Sequence, residues 1–196
     1  NDFKIRCSAI GKIMGNGKVK GELSQTCKSY LEEWYANDNE DFGSKYTRKG
    51  NEVENDLIDF MAEVLGFGMA EKNKEGRSDE FIQGECDVVM PNCVIDVKAP
   101  WNRKTLFEKV IEPIDKDYEW QLQGYMHLYV KDEAILFYGL MNTPETEYSE
   151  EVIYEDMPVD ERWVAYHIKR DQERINSIIE RVKLCREYLV KYDLEV

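Results

Sequence analysis

Residue types that bind soft metals or form disulfides are scarce in this sequence. It contains only two histidines and five cysteines, and no two cysteines are spaced C-x-x-C. An odd number of cysteines without such a pair predicts neither a disulfide framework nor a zinc or iron–sulfur site. The reducing cytoplasm is the simplest compartment for such a chain.

Long apolar runs are also missing. The longest runs span only a few residues, and the first residues, Asn-Asp-Phe-Lys, form neither a charged n-region nor a hydrophobic h-region. A membrane-spanning helix needs about 20 apolar residues, and a secretory signal needs an apolar h-region. We therefore expect a soluble protein that is not exported.

Positive charge is in short supply. The chain has 26 Lys and Arg against 40 Asp and Glu, so its net charge is −14. Proteins that coat nucleic acid are usually basic, and this balance argues against that class. Any nucleic-acid site must therefore be a local basic channel.

The chain does contain enough apolar material for a full core. Of its 196 residues, 42% are hydrophobic, including 12 Tyr, 7 Phe and 4 Trp. No internal repeat or low-complexity linker divides it, so residues 1–196 are expected to form one domain. The order of predicted helices and strands favours an α/β (α+β) fold with a central mixed sheet flanked by helices.

Residues 85–99 predict a β-hairpin, because two runs rich in Val and Ile flank a turn at Pro91-Asn92. With a two-residue turn, Asp87 lies opposite Asp96. Pro91 cannot adopt the positive φ of the usual two-residue turn, so a shifted register stays open.

The second strand of this hairpin carries charge on an otherwise apolar segment. Asp96 and Lys98 point to one face, whereas Ile95 and Val97 point to the other. Two facing carboxylates destabilise a sheet unless a cation neutralises them, and hard oxygen ligands suit Mg²⁺ or Mn²⁺. An isolated D-x-K is usually an ordinary solvated strand face. The prediction of a metal site at Asp96 therefore depends on its spacing from Asp87.

A helix is predicted from Asn51 to Leu65, and one of its acidic residues is out of phase. Glu52 falls on the polar stripe, whereas Glu54 shares the row of the apolar residues. A buried carboxylate is costly unless it is paired or bound to a metal. The alternative is a partly exposed glutamate that the helix dipole favours near the first turn.

Two segments offer cations for a phosphate backbone. The glycine-rich loop from Gly15 to Gly21 contains Lys18 and Lys20, and Arg103 and Lys104 follow the hairpin. Lysines beside glycines can approach phosphates closely, although such a loop is as often only flexible and soluble.

A later helix, Glu119 to Val130, places Gln121 and Tyr125 on one face at i, i+4. On their own, these two residues would more often form a packing contact at the margin of a core than a functional pair. They indicate a functional site only in combination with the acidic and basic residues that precede them in the chain.

Together these segments resemble a known family. The chain resembles the PD-(D/E)XK nuclease superfamily, with its restriction-endonuclease-like core, and within it phage lambda exonuclease and related phage recombination exonucleases. The motifs that carry the resemblance are Val-Glu-Asn-Asp at 53–56, Asp87, Ile-Asp-Val-Lys at 95–98 and Gln-Leu-Gln-Gly-Tyr at 121–125.

The resemblance implies a role for each motif residue. Asp87 and Asp96, with the backbone carbonyl of Val97, would hold a divalent metal. Lys98 would orient or deprotonate the attacking water, and Glu54 would bind that water or a second metal. A lysine beside two carboxylates stays protonated, which favours the orienting role.

The resemblance further implies that Gln121 and Tyr125 support the site and that Ser8 contacts a DNA phosphate. Two departures from the family pattern affect the prediction. No upstream arginine matches the one that helps to hold the 5′-phosphate, so strand polarity stays open. Gly84-Glu85-Cys86 replaces the usual proline before the first aspartate.

The implied function is a Mg²⁺-dependent or Mn²⁺-dependent exonuclease on duplex DNA ends, acting 5′ to 3′ in phage-type recombination. Its location would be the cytoplasm of a phage-infected or prophage-carrying bacterial host, with a single-strand annealing protein as partner. A homo-oligomer stays open. The alternatives are an endonuclease of the same fold and a non-catalytic acidic DNA mimic, for which the charge of −14 would be the functional property.

Overall fold

The computed structural model of the protein describes residues 3–19, 21–36, 45–112, 114–143, 145 and 150–193. Within these ranges, no helix is long and apolar enough to cross a bilayer. The helices are α1 (Ile10–Met14), α2 (Gln25–Ala36), α3 (Lys45–Val64), α4 (Arg103–Ile111), α5 (Lys116–Tyr129) and α6 (Gln172–Asp193). The strands are β1 (Ile5–Arg6), β2 (Arg77–Ser78), β3 (Ile82–Gly84), β4 (Val88–Val89), β5 (Cys93–Lys98), β6 (Glu133–Gly139) and β7 (Trp163–Lys169).

These strands form two mixed sheets. The larger sheet has the order β4-β5-β6-β7, and the smaller has the order β1-β3-β2. Strands β5 and β6 are parallel, and α4 and α5 form the connection that parallel strands require. The predicted mixed fold with flanking helices is confirmed, although the strands divide between two sheets instead of forming one.

Strand β5 lies between two hydrophobic cores. Val94 packs into a core that contains buried residues of α5 and α6, whereas Ile95 and Val97 pack against Leu57 and its neighbours on α3. The predicted alternation of the strand is therefore confirmed. Because both faces of β5 are covered, the Asp96 side chain lies in a largely water-free environment, whereas Lys98 at the end of the strand stays partly exposed.

Two helices begin at a residue whose side chain caps the first turn. Ser24 Oγ accepts a hydrogen bond from Cys27 N at 3.1 Å, which begins α2. Asp171 Oδ1 accepts one from Glu173 N at 2.9 Å and begins α6. These are the N-cap bonds that serine and aspartate side chains supply.

Other boundaries differ from the prediction. Helix α3 begins at Lys45, before the predicted Asn51, and α5 begins at Lys116 because the Asp115 side chain caps it. Ser8 lies within a short 3₁₀ turn that has no side-chain cap.

Candidate active site

The hairpin has the register that a two-residue turn requires. Met90 N donates to Cys93 O at 2.9 Å, and the two strands pair accordingly. Continued by one step, this register sets Asp87 across from Asp96. Asp87 lies just before β4, and its Oδ2 accepts a hydrogen bond from the backbone N–H of Val97 at 2.7 Å.

Asp96 is held in place by residues of the strand and of α5. Its side chain is only 2% exposed, and Oδ1 accepts a hydrogen bond from Gln121 Nε2 at 3.0 Å. Gln121 Nε2 also lies 3.1 Å from the Tyr125 hydroxyl. Asp96 Oδ2 lies 2.5 Å from Lys98 Nζ in an ion pair, and no directed hydrogen bond from the described residues reaches it.

The charges of this cluster perturb one another. Burial and the nearby Asp96 carboxylate raise the pKa of Asp87 to about 7. Burial disfavours the charged form of Lys98, but the carboxylates of Asp96 and Asp87 outweigh this and raise the pKa of its ammonium. Burial and Asp96 also raise the pKa of Tyr125, which keeps its phenol neutral. A buried cluster in which a carboxyl group with a raised pKa lies beside a charged ammonium is typical of a functional site.

Glu54 approaches this cluster from α3. It is half-buried and lines the same cleft as Asp87, whereas Glu52 is exposed. Glu54 forms an ion pair with Lys72, and this contact raises the pKa of Lys72. Sequence analysis did not find Lys72. No local pattern indicated it, because Lys72 lies 13 residues before the hairpin and reaches it through a β-bridge with Val88.

The cluster borders a cleft of about 670 Å³. This cleft lies at the carboxyl ends of the parallel strands β5 and β6, where ligand sites of α/β sheets usually occur. Lys109 of α4 is a cation in its lining that sequence analysis missed. The lining comprises Gly50, Glu54, Leu57, Asp87, Val97, Lys98, Ala99, Pro100, Trp101, Thr105, Lys109, Tyr118 and Tyr138.

The donor set fits a hard divalent cation. Asp87 and Asp96 offer carboxylate oxygens, and Asp96 Oδ2 is buried, pairs with the Lys98 ammonium and accepts no directed hydrogen bond from the described residues. Oxygen ligands of this kind suit Mg²⁺ or Mn²⁺. In the described ranges, no three His, Cys, Asp or Glu side chains lie at the spacing of a preformed metal cluster. Glu54 and the two aspartates therefore do not form a three-carboxylate cluster in this structure.

Ser8 lines a second concavity on the α5 side of the cluster. This concavity has a volume of about 460 Å³, and Tyr125 forms part of its wall. Arg6 and Arg77 line it as well, and sequence analysis missed both. Arg6 could have been found, because it lies two residues before Ser8. Arg77 could not, because the sheet pairing of β2 with β3 brings it there.

Three of the cations predicted from the sequence to contact DNA, Lys18, Arg103 and Lys104, line neither concavity. Lys18 is exposed on a loop that the hydrogen bond from Gly17 N to Glu22 O closes at 3.0 Å. The fourth, Lys20, lies outside the described residues.

Arg103 and Lys104 are exposed on the first turn of α4, and each has a carboxylate partner. Arg103 Nη2 lies 2.8 Å from Glu161 Oε2, and Lys104 Nζ lies 3.6 Å from Glu108 Oε1. Their role in DNA binding stays a prediction.

Comparison with known proteins gave one strong relative. No protein-family model and no curated protein matched the sequence. The crystal structure of a phage-related exonuclease from Haemophilus somnus 129PT is 33% identical. The match covers all of this chain and 97% of the other, with a TM-score of 0.84.

An alkaline exonuclease from Laribacter hongkongensis shares the fold at 16% identity. The match covers 98% of this chain and 94% of the other, with a TM-score of 0.69. Its complex with dAMP, also 16% identical, gives a TM-score of 0.66 over 98% of this chain and 95% of the other. The 33% identity to the Haemophilus structure, over all of this chain, shows that this chain belongs to the lambda-exonuclease-like family of PD-(D/E)XK nucleases.

Proposed function

We propose that this protein is a Mg²⁺-dependent or Mn²⁺-dependent deoxyribonuclease that removes nucleotides from the ends of duplex DNA in the 5′ to 3′ direction. The observation that carries the proposal is the cluster of Asp87, Asp96 and Lys98, in which Asp96 pairs with Lys98 and in which Asp87 and Lys98 line the cleft. The exonuclease relatives support nuclease chemistry for the fold.

Asp87 and Asp96, with the carbonyl of Val97, would hold the metal. A divalent cation bound there would lower the pKa of a water molecule and neutralise charge that develops on the phosphate. Ionised carboxylates are required for this, and the cation would relieve the repulsion that raises the pKa of Asp87.

Lys98 orients the attacking water and stabilises negative charge. Because its ammonium stays protonated beside Asp96, it donates hydrogen bonds and cannot accept a proton. General-base catalysis by Lys98 would require a lowered pKa, whereas the carboxylates of Asp96 and Asp87 raise the pKa of this ammonium.

Gln121 and Tyr125 fix the orientation of Asp96. The amide of Gln121 donates to Asp96 Oδ1, which leaves Oδ2 for Lys98 and the cation. Hydrogen bonds from a second layer of residues hold ligands in place in this way and typically change metal affinity or activity by about 10- to 100-fold.

Two features support DNA as the substrate. The alkaline exonuclease that shares this fold has been solved with dAMP, a deoxynucleotide. The catalytic acids of this chain face inward, with Asp96 only 2% exposed, whereas a DNA mimic would need its acids on the surface.

The concavity beside Tyr125 supports the 5′ to 3′ direction. Arg6, Ser8 and Arg77 would bind a terminal phosphate there, since guanidinium groups and hydroxyls are typical phosphate donors. A role in phage recombination, with a single-strand annealing protein as partner, follows from the family and completes the proposal.

The decisive experiment incubates the purified chain with Mg²⁺ and either linear or covalently closed circular duplex DNA. We expect nucleotides to be released from linear DNA only, and chelation by EDTA to stop the reaction. Asp96→Asn should lower the rate by at least about 100-fold while the protein stays folded, because the amide keeps the shape of the carboxylate.

Other outcomes would overturn parts of the proposal. Cutting of circular DNA would indicate an endonuclease. If the chain hydrolysed no DNA but bound tightly to DNA-binding proteins, it would be a DNA mimic. Full activity of the Asp96→Asn protein would remove the assigned active site.

A further inference from the structure

Lys49 is the most deeply buried cation of the described part of the chain. Its side chain on α3 is 1% exposed, and Nζ donates hydrogen bonds to Pro100 O at 2.7 Å, Trp101 O at 3.1 Å and Thr143 Oγ1 at 2.9 Å. Thr143 Oγ1 in turn donates to Trp101 O at 2.7 Å. The ammonium therefore joins three segments that are distant in sequence.

This position is costly for the fold. Burial lowers the pKa of Lys49 to about 8, and within the described residues the hydrogen-bond acceptors of Nζ are all neutral oxygens. An apolar side chain of similar volume would avoid the desolvation of the charge. What the ammonium adds is a fixed geometry, because its three donors are all used.

The segments that Lys49 joins both line the cleft. Pro100 and Trp101 line it and follow Ala99 after β5, which carries Asp96 and Lys98. Glu54 also lines it and lies five residues after Lys49 on α3, a rise of about 7.5 Å along the helix. The hydrogen bonds of Lys49 thus connect α3, which carries Glu54, to the segment that follows β5, the strand of Asp96 and Lys98.

We propose that Lys49 is a positioning residue of the active site, and that its ammonium sets the distance between Glu54 and the cluster of Asp87, Asp96 and Lys98. This inference rests on the proposed function of the cleft. Lys49 does not touch the substrate. It acts by holding α3 against the segment that follows β5.

The test compares Lys49→Met in the full chain with Lys131→Met as a matched control. Lys131 Nζ also donates to a backbone carbonyl, Pro91 O at 2.8 Å, but it does not line the cleft. Thr143→Val is the milder second variant, since it removes one hydrogen-bond partner of Lys49 and nearly preserves volume.

Two measurements are made on each variant: Mn²⁺ affinity by titration calorimetry without DNA, and kcat and KM on linear duplex DNA. For Lys49→Met we expect Mn²⁺ affinity and kcat each to fall by about tenfold, as for loss of a supporting residue of a metal site, with little change in KM. Thr143→Val should shift both in the same direction by less, and Lys131→Met should change neither.

A double-mutant cycle with Glu54→Gln separates positioning from simple stabilisation. If Lys49 acts through Glu54, the two substitutions together should cost little more in kcat than Glu54→Gln alone. The inference would be overturned if Lys49→Met lowered the melting temperature but left Mn²⁺ affinity and kcat unchanged. It would also be overturned if the kcat losses of Lys49→Met and Glu54→Gln were additive.

The failure of this inference can be distinguished from failure of the proposed function. If the wild-type chain hydrolyses no DNA but Lys49→Met still weakens Mn²⁺ binding, the proposed function fails and the positioning role stands. If the wild type is active and Lys49→Met and Thr143→Val match it in both measurements, the positioning role fails and the function stands.

Discussion

At the residue scale, Glu54 and Glu52 differ in surroundings although they are two positions apart on α3. Glu54 is half-buried at the cleft beside Lys72, whereas Glu52 is exposed. We therefore predict that Glu54→Gln lowers kcat by about 10- to 100-fold or more and that Glu52→Gln leaves it within about twofold. Steady-state kinetics on linear duplex DNA with saturating Mg²⁺ would measure both.

Glu52→Gln is the matched control, because it removes the same charge from the same helix. Equal losses in the two variants would show that general electrostatics, and not the position of Glu54 at the cleft, control the rate. A loss confined to Glu54→Gln would support its role beside the two aspartates.

The raised pKa of Asp87 makes the stability of the metal-free protein depend on pH. Its pKa is about 7 in the folded chain, against about 4 in an unfolded one. Between these values the folded state binds more protons, so stability falls as pH rises through this window. The contribution of Asp87 is fully present below pH 4 and lost above pH 7.

We predict that urea unfolding in EDTA shows the wild type losing stability between pH 5 and pH 8 relative to Asp87→Asn. The asparagine cannot ionise, yet its carbonyl can still accept the bond from Val97 N. Adding Mg²⁺ at pH 8 should restore stability to the wild type only. Parallel pH profiles of the two proteins in EDTA would contradict the assigned shift.

At the scale of elements, close packing of α3 on the large sheet fixes the distance between the helix and β6. A Cβ atom at Gly139 of β6 would collide with the buried Leu57 side chain and would lie 2.8 Å from Phe137 Cε1. We predict that Gly139→Ala lowers the free energy of unfolding by about 1–3 kcal/mol through overpacking. Chemical denaturation would measure this change.

Gly50→Ala provides the control on α3. A Cβ atom there meets nothing within 4 Å, so the alanine should stabilise the helix by about 0.5–1 kcal/mol. If Gly139→Ala and Gly50→Ala changed the free energy of unfolding equally, close packing of α3 against the sheet would not explain the loss at Gly139.

Local patterns predicted the elements that carry the site. The hairpin at 85–99 follows from its turn and its apolar runs, and the phase of Glu54 follows from the spacing of apolar residues on α3. Both depend on neighbours within a few residues. The same is true of the Gln121–Tyr125 pair, whose side chains meet because i and i+4 share a helix face.

Contacts between distant segments could not be predicted from local patterns. Lys72 reaches Glu54 across 18 positions, and the Lys49 ammonium reaches the Thr143 hydroxyl across 94. Such pairs depend on how the helices pack on the sheets, which one sequence does not specify residue by residue. The division of the strands into two sheets escaped prediction for the same reason.

At the scale of the whole molecule, the net charge of −14 means that the proposed binding of DNA must depend on few cations. The sequence predicts Lys18 and Lys20 among them. If they contact phosphates, neutralising both to glutamine should weaken binding to unrelated duplexes equally and reduce the salt slope by about 2. Fluorescence anisotropy with Ca²⁺ in place of Mg²⁺ would measure this. An unchanged slope would exclude the loop from the DNA path.

The structure adds a sharper prediction for Arg6 and Arg77, which share the concavity of Ser8. Because guanidinium groups bind a terminal phosphate, the wild type should bind duplexes with a 5′-phosphate more tightly than those with a 5′-hydroxyl. Neutralising both arginines to glutamine should abolish this preference and reduce the salt slope by about 2.

The control for this prediction removes two cations of α6, Lys183 and Lys191, which line neither the cleft nor this concavity. Their replacement by glutamine changes the net charge equally, so it separates a local phosphate contact from the overall field. Anisotropy with both kinds of duplex end, in Ca²⁺, gives the comparison. If the arginine variant kept the preference for a 5′-phosphate, the terminal phosphate would have to bind elsewhere, and the proposed 5′ to 3′ direction would lose its structural support.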